Sequence, residues 1–220
     1  MVDAVWFPAG AAAAYLAGAV PFGYLIGRMR GVDVRTVGSG NIGATNVFRT
    51  VGKKWGLLAF ALDFAKGFVP TCAALSLTAA RGADGAVEMT ALHTYLPLLV
   101  GVTTVVGHMF TCFMGFRGGK GVATAAGMLM ALAPAPTGMA LGVFAVVMLA
   151  THYVSVGSCV AALFMLVAIW FSNGAWGYAD PPAMALLAPR VMVSAVCLMT
   201  IWKHRSNVAR LLRGTENRIY

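Results

Sequence analysis

VATAAGMLMALAPAPTGMALGVFAVVMLA, Val122–Ala150, is the stretch on which the architecture turns. It is apolar throughout but too long for one ordinary crossing, since about 20 residues of helix cover a bilayer's hydrocarbon core. Pro134 and Pro136 interrupt it, and proline breaks a helix interior by removing an N–H and crowding the preceding turn. Five further apolar segments flank it: Trp6–Ile26, Trp55–Ala79 and Leu92–Met114 before, Val156–Phe171 and Met184–Trp202 after. Basic residues cluster after the first segment (Arg28, Arg30, Arg35, Arg49, Lys53, Lys54), after the third (Arg117, Lys120), and in the tail (Lys203, Arg205, Arg210, Arg213, Arg218). The loop after the second segment offsets Arg81 with Asp84 and Glu88, and the Asn173–Pro182 loop has no Lys or Arg. Positive loops stay cytoplasmic. If Val122–Ala150 crossed once, parity would put the basic tail outside. If Pro134–Thr137 turns the chain between two short helices, every basic cluster lies inside. The expectation is an all-α, polytopic membrane protein of about seven transmembrane helices, with the N-terminus outside and the C-terminus cytoplasmic. The two short helices either cross incompletely or pack around an internal cavity.

Composition agrees. The chain has 220 residues, 60% hydrophobic and 10% charged, with mean hydropathy +0.80. A soluble domain carries about 25% charged residues. No polar stretch is long enough for a separate core, so residues 1–220 read as one integral membrane domain. The net charge of +9 would suggest nucleic acid in a soluble protein. Here the cations abut apolar segments, which implies topology and anionic lipid instead. Cys72, Cys112, Cys159 and Cys197 show no metal spacing and read as small buried hydrophobes. The first apolar run lacks a basic leader and reads as a retained helix. No internal repeat is evident, which weighs against an inverted-repeat transporter.

Three polar islands interrupt the apolar chain, all on the predicted cytoplasmic face: Gly38–Arg49, Phe116–Thr124 and His204–Arg213. In the first, Gly38, Gly40 and Gly43 match the dinucleotide spacing, but a membrane segment precedes them where a Rossmann site needs a strand. The physical capability remains. Glycines allow close backbone approach to an anion, Ser39, Asn41, Thr45 and Asn46 offer hydrogen bonds, and Arg49 offers a planar fork suited to phosphate. A tight interfacial loop with topogenic arginines explains the same residues. In the second, Gly118-Gly119-Lys120-Gly121 lacks the Walker spacing, yet sets Lys120 and backbone N–H groups at the start of a helix, where anions are favoured. A flexible turn with a snorkelling lysine is the alternative. In the third, His204 and Asn207 share a face of any helix there, and His handles protons near neutral pH. A basic amphipathic helix lying on lipid is the alternative. Glu216 is expected to pair with an arginine.

Asp63 and Lys66, three apart inside an apolar segment, are expected to form an ion pair, because isolated charges in a membrane are costly. His108 ends the third segment and is placed to support the second island or simply to pack. Ser155 falls in the predicted turn after the hairpin and can reach the site. His93 reads as structural.

The strings SGNIGATNVFR (Ser39–Arg49), GGKGVAT (Gly118–Thr124) and HRSNVARLLRGTE (His204–Glu216) together resemble the three motifs of the bacterial acyl-phosphate:glycerol-3-phosphate acyltransferases. Their order and spacing extend the resemblance over essentially the whole chain. Asp63–Gly67 and Gly107-His108 look like further family positions. Arg117 stands where the family has lysine, and Thr111 where a proline is common. The resemblance implies acyl transfer from a long-chain acyl phosphate to the sn-1 hydroxyl of glycerol 3-phosphate, giving lysophosphatidic acid and phosphate. It implies the cytoplasmic (inner) membrane as location, a soluble acyl-phosphate synthase as functional partner, and no cofactor or metal.

The chemistry suits the residues. Two phosphorylated substrates carry about four negative charges near neutral pH, and Arg49, Lys120 and the tail cations answer that repulsion. Phosphate is a good leaving group, and no Gly-x-Ser-x-Gly elbow or island cysteine offers a nucleophile. Direct attack, driven by positioning and electrostatics, is therefore expected. Arg49 and Lys120 would clamp phosphates, helped by backbone N–H groups near Gly40–Gly43 and Gly118–Gly119. Ser39, Thr45, Asn46 and Asn207 would bond phosphate or carbonyl oxygens, with Ser155 added. His204 is either general base or phosphate ligand, and a substrate phosphate can take the proton instead. An anion transporter needs more polar residues along the spans than Asp63 and Lys66. A lipid-binding scaffold has no need of Arg, Lys, His and Asn on one face. A CDP-alcohol phosphotransferase needs an acidic metal cluster, which seven scattered acids do not make.

Overall fold

The computed structural model describes residues 2–78, 91–171 and 183–219, and among them every regular element is helical. In chain order these are α1 (Val2–Ala19), α2 (Phe22–Met29), α3 (Ala44–Thr50), α4 (Lys53–Thr78), α5 (Ala91–Met109), α6 (Val122–Leu132), α7 (Pro134–Thr151), α8 (Val154–Phe171), α9 (Ala183–Lys203) and α10 (Arg205–Leu212). Among the described residues, five segments are long and apolar enough to cross a membrane: Phe7–Met29, Lys53–Thr78, Tyr95–Met114, Pro134–Thr151 and Val154–Phe171. At 1.5 Å per residue, the eleven residues of α6 reach about 16 Å, roughly half the hydrocarbon thickness. The sparsely charged loops used in the parity argument, with Arg81, Asp84 and Glu88 in one and Asn173–Pro182 as the other, lie outside the described residues, as does the side chain of His93.

The stretch Val122–Ala150 does divide in two. The break is a single extended residue, Ala133 (φ −145°, ψ 72°), and Pro134 opens α7. The prolines thus start a helix and do not form the turn expected over Pro134–Thr137. Proline is well placed in a first turn, where its missing N–H has no partner to lose.

The first apolar segment differs from the single helix expected over Trp6–Ile26. It breaks at Val20-Pro21 into α1 and α2, because Pro21 cannot continue the hydrogen-bond ladder. The carbonyls left at the break accept from side chains of α4 and of the residues just after α5. Thr111 Oγ1 donates to Ala19 O (2.5 Å) and Lys66 Nζ to Val20 O (2.9 Å). The third segment also ends early as a helix, at Met109, and continues as a short 3₁₀ turn, Cys112–Met114.

Membrane helices gain little from hydrophobic transfer between themselves, so close van der Waals packing at small residues brings them together. Two crossings here depend on paired glycines. Between α1 and α5, a Cβ on Gly18 would run into the carbonyl of Thr104, and one on Gly107 into that of Tyr15. Between α4 and α6, Gly67 meets the carbonyl of Thr124 and Gly127 that of Phe64. Around the second crossing lies an apolar core with Leu98, Val105, Met109, Met128, Ile169 and Val193. This seats α6, and the loop before it, against α4 and α5.

Candidate active site

The first island folds around Asn46. Its amide donates to the carbonyls of Val34 (2.7 Å) and Val37 (3.2 Å), while its Oδ1 accepts from the Ser39 N–H (2.9 Å). Both amide donors are therefore spent, so the expectation of Asn46 as a donor to phosphate gives way to a bracing role. The N–H groups of Gly40 and Gly43 are spent too, on Val37 O (3.0 Å) and Asn41 Oδ1 (2.8 Å). Gly38 is left-handed (φ +60°) and lies so close to Asn46 that a Cβ would overlap Oδ1. The braced loop opens α3, whose Thr45 and Arg49, one turn apart, both line a common cavity.

The second island packs onto the end of α5. Gly118 N–H donates to Met109 O (3.2 Å) and Gly119 N–H to His108 O (3.0 Å). These N–H groups are not available to a ligand, contrary to the expectation from sequence. The glycines are required by proximity instead. A Cβ on Gly118 would strike the His108 carbonyl, and one on Gly119 the His108 imidazole. Gly121, left-handed at φ +83°, then turns the chain into α6. This delivers Lys120 into the cavity. Behind it, Asp63 Oδ1 lies 2.8 Å from Lys66 Nζ and 3.5 Å from His108 Nδ1, a buried triad that joins α4 to α5. The Asp63–Lys66 pair expected from their spacing is present.

The third island joins α9 to α10. His204 sits between the two helices, with Nδ1 2.8 Å from Thr200 O. A carbonyl only accepts, so Nδ1 carries the proton and Nε2 keeps a lone pair. Asn207 links the islands: its Oδ1 accepts from Lys120 Nζ, and its Nδ2 donates to Glu216 Oε1 (2.6 Å). Glu216 also accepts from Ser155 Oγ (3.0 Å) and from Arg210 Nε (2.7 Å), the arginine pairing that its position suggested. Arg49 donates from Nε to Arg218 O (3.1 Å) and from Nη2 to Asn217 O (2.7 Å).

One cavity of about 130 Å³ gathers Ser39, Asn41, Gly43, Thr45, Asn46, Arg49, Lys120, Ser155, His204 and Asn207. Gly40, Gly118 and Gly119 stand outside its lining and shape the loops that reach it. Asp63, His108 and Glu216 also line it, where their sequence positions suggested an ion pair for Asp63, support of the second island or packing for His108, and an arginine partner for Glu216. A second cavity of about 100 Å³, lined by Leu129, Leu141, Ala161, Met165 and Val196 among others, shares Phe60, Val122, Phe144 and Ser158 with the first. A polar chamber and an apolar one thus have common walls.

Burial lowers the Lys120 ammonium from its ordinary range to about 8, against the opposing pull of the Glu216 carboxylate. Burial, with Lys120 adding its repulsion, lowers His204 to about 4, so the imidazole is neutral at pH 7. Burial favours a protonated Glu216, but hydrogen bonds from Asn207, Arg210 and Ser155 outweigh it and hold the carboxyl below its usual value. The result is two inward cations, a resident carboxylate and a neutral imidazole acceptor. Such a set can bind and orient phosphates and accept a hydrogen bond from a hydroxyl.

Comparison with known proteins agrees with this chemistry. The sequence profile described as Glycerol-3-phosphate acyltransferase matches residues 9–214. A glycerol-3-phosphate acyltransferase of Trichlorobacter lovleyi is 41% identical over 207 residues, covering 94% of both chains. One from Aquifex aeolicus is 38% identical over 205 residues, covering 93% of this chain and 95% of the relative. The crystal structure of PlsY, an integral membrane glycerol 3-phosphate acyltransferase, in its glycerol 3-phosphate form superposes with a TM-score of 0.80 at 34% identity. Its lysophosphatidic acid form gives 0.77. Both alignments cover 96% of this chain and 94% of the other.

Proposed function

We propose, given that the chain belongs to the glycerol-3-phosphate acyltransferase family, that it transfers a long-chain acyl group from an acyl phosphate to the sn-1 hydroxyl of glycerol 3-phosphate. The observation that carries this reading is the pair of chambers with shared walls. The apolar chamber suits an acyl chain, at about 0.8 kcal/mol per buried CH₂. The polar chamber suits two phosphates. The reacting carbonyl belongs at their common wall, between Phe60, Val122, Phe144 and Ser158.

The mechanism follows from charge and proton affinity. Arg49 and Lys120 hold the phosphates, and Ser39, Thr45 and the second Nδ2 hydrogen of Asn207 complete their hydrogen bonding, while Ser155, whose one O–H donates to Glu216, holds that carboxylate in the wall. Asn41 and Asn46 brace the first loop, with Gly40 and Gly43 shaping it, while Gly118 and Gly119 let the second loop approach α5. The sn-1 oxygen attacks the acyl carbonyl carbon, a C–O ester bond forms, and the carbon–oxygen bond to phosphate breaks. No acyl-enzyme is needed, because phosphate already leaves well. His204 Nε2 accepts the hydrogen bond of the attacking hydroxyl and orients it. At about 4, His204 is a weaker base than phosphate, whose second pKa is about 6, so the proton passes to the departing phosphate.

The whole chain, residues 1–220, acts as one integral membrane unit of about seven membrane helices, the short α6 crossing incompletely, with the N-terminus outside and the C-terminus inside. Convergence of all three islands on one cavity supports their lying on one membrane face, which the basic loops make cytoplasmic. The location is the inner membrane of a bacterium, where a soluble acyl-phosphate synthase supplies the donor. Purified protein offered palmitoyl phosphate or palmitoyl-CoA with glycerol 3-phosphate tests the donor. Lysophosphatidic acid is expected from the phosphate only; equal product from the thioester sinks this assignment.

A further inference from the structure

Beyond the three islands, the last described residues form a strap that runs from Glu216, in the wall of the polar chamber, to the end of α7. Gly214 (φ +68°) reverses the chain after α10, and Glu216 anchors in the chamber as described. Ile219 N–H then donates to His152 O (2.9 Å), and the Arg218 guanidinium lies over the Tyr153 ring (5.7 Å to the centroid). His152 caps α7 in the left-handed region (φ +63°), which aims its carbonyl away from the helix ladder. Between these two anchor points, the carbonyls of Asn217 and Arg218 accept from Nη2 and Nε of Arg49.

We infer that residues Asn217–Ile219 are a positioning element for the phosphate-binding Arg49, and so set affinity for the phosphorylated acceptor. This rests on the proposed role of Arg49. A guanidinium has five N–H donors in a fixed plane. The strap uses two, on one edge, which fixes the plane while leaving three donors. Carbonyl oxygens carry no net charge, so Arg49 is held without being neutralised. A carboxylate in the same place would hold it as well but would compete with substrate. The strap separates the two tasks: Glu216 hydrogen-bonds to Asn207, Ser155 and Arg210, and among the described residues Arg49 donates its hydrogen bonds to backbone carbonyls. Pre-orienting the fork removes a reorganisation cost from binding and keeps the phosphate in line with the acyl carbonyl, and misplacement of such a group by about 1 Å costs up to a hundredfold.

The test compares the wild-type chain with one ending at Glu216, and with Ile219→Pro, which deletes the strap's donor to His152 while retaining both carbonyls. Each is measured in detergent for glycerol 3-phosphate turnover and for melting temperature, alone and with Arg49→Lys. Both variants are expected to raise KM for glycerol 3-phosphate and lower kcat/KM by about tenfold or more, with the melting temperature nearly unchanged. In the Arg49→Lys background the further loss should vanish, since an ammonium has no second edge for the strap to fix. Wild-type kinetics in both variants, increased activity, or the same fold-loss in the Arg49→Lys background overturns the inference. Should the shortened chain fail to fold, Ile219→Pro decides alone. Arg49→Ala in the same assay separates the two claims: full activity there refutes the phosphate role of Arg49 itself, whatever the strap variants do.

Discussion

At the scale of single residues, the site depends on two groups moved by burial in ways with opposite consequences. In the proposed clamp Lys120 must be charged to hold phosphate, and its lowering to about 8 brings its loss of charge into the working range. As pH rises through that value the cation disappears, so kcat/KM should fall with an apparent midpoint near pH 8. Lys120→Arg should remove that limb from profiles up to about pH 10, because guanidinium stays protonated. A wild-type limb appearing only near pH 10 would contradict the lowering by burial, and a limb near pH 8 that persists in Lys120→Arg would contradict the assigned role. His204 titrates the other way. It is already neutral above about 4, so no loss of imidazole function is expected as pH falls through 6.5. His204→Gln, which keeps a hydrogen-bond acceptor, should raise KM and keep kcat within about tenfold. A general base contributes roughly a hundredfold or more, and a loss of that size in kcat would make His204 the base. The gathering of Lys120, Arg49, His204 and Asn207 at one cavity was legible only from the three islands taken together, because each island alone also fits a topogenic loop, a snorkelling lysine or a basic helix on lipid. The role of Asn46 was not. Its side chain looks like a ligand in sequence, and only the placement of Val34 and Val37 reveals that its donors are spent.

At the scale of elements, the position of Lys120 is decided by how closely α6 approaches α4 and α5. Gly127→Leu or Gly67→Leu would force the α4–α6 crossing apart, since each added side chain meets a backbone carbonyl that cannot yield locally. A loss of about 3 kcal/mol is expected, at the upper end for overpacking, with acyltransferase activity falling together with thermal stability. Gly119→Ala should behave differently. Its new methyl meets the His108 ring, a side chain next to the site, so activity should fall with a smaller change in melting temperature. A Gly119→Ala protein with normal turnover would remove His108 and Gly119 from the account of the second loop. The helix pair from Val122–Ala150 was legible because proline punctuates a run too long to cross once. The break at Pro21 was not foreseen, although proline stands there too, because the apolar run on both sides satisfies a simple length criterion. What permits that break is remote in sequence: Thr111 and Lys66 supply the donors its carbonyls need.

At the scale of the whole molecule, three islands separated by membrane helices form one chamber, and an apolar chamber adjoins it. That convergence was legible in outline, because charge bias put all three islands on one face. The contribution of the tail beyond Glu216 was not, because its bonds to Arg49 come from backbone carbonyls, which leave no trace in residue type. The orientation is testable directly. A variant lacking the four native cysteines and carrying Arg213→Cys should react with an impermeant maleimide only from the cytoplasmic face; labelling from outside would reverse the topology. The central claim is direct transfer between two phosphorylated substrates bound together. It is met most squarely by following phosphate release from palmitoyl phosphate on the purified protein, with and without glycerol 3-phosphate. The account predicts no release without the acceptor, and one phosphate per lysophosphatidic acid with it. A burst of phosphate matching the protein concentration in the absence of glycerol 3-phosphate would show an acyl-enzyme and contradict it.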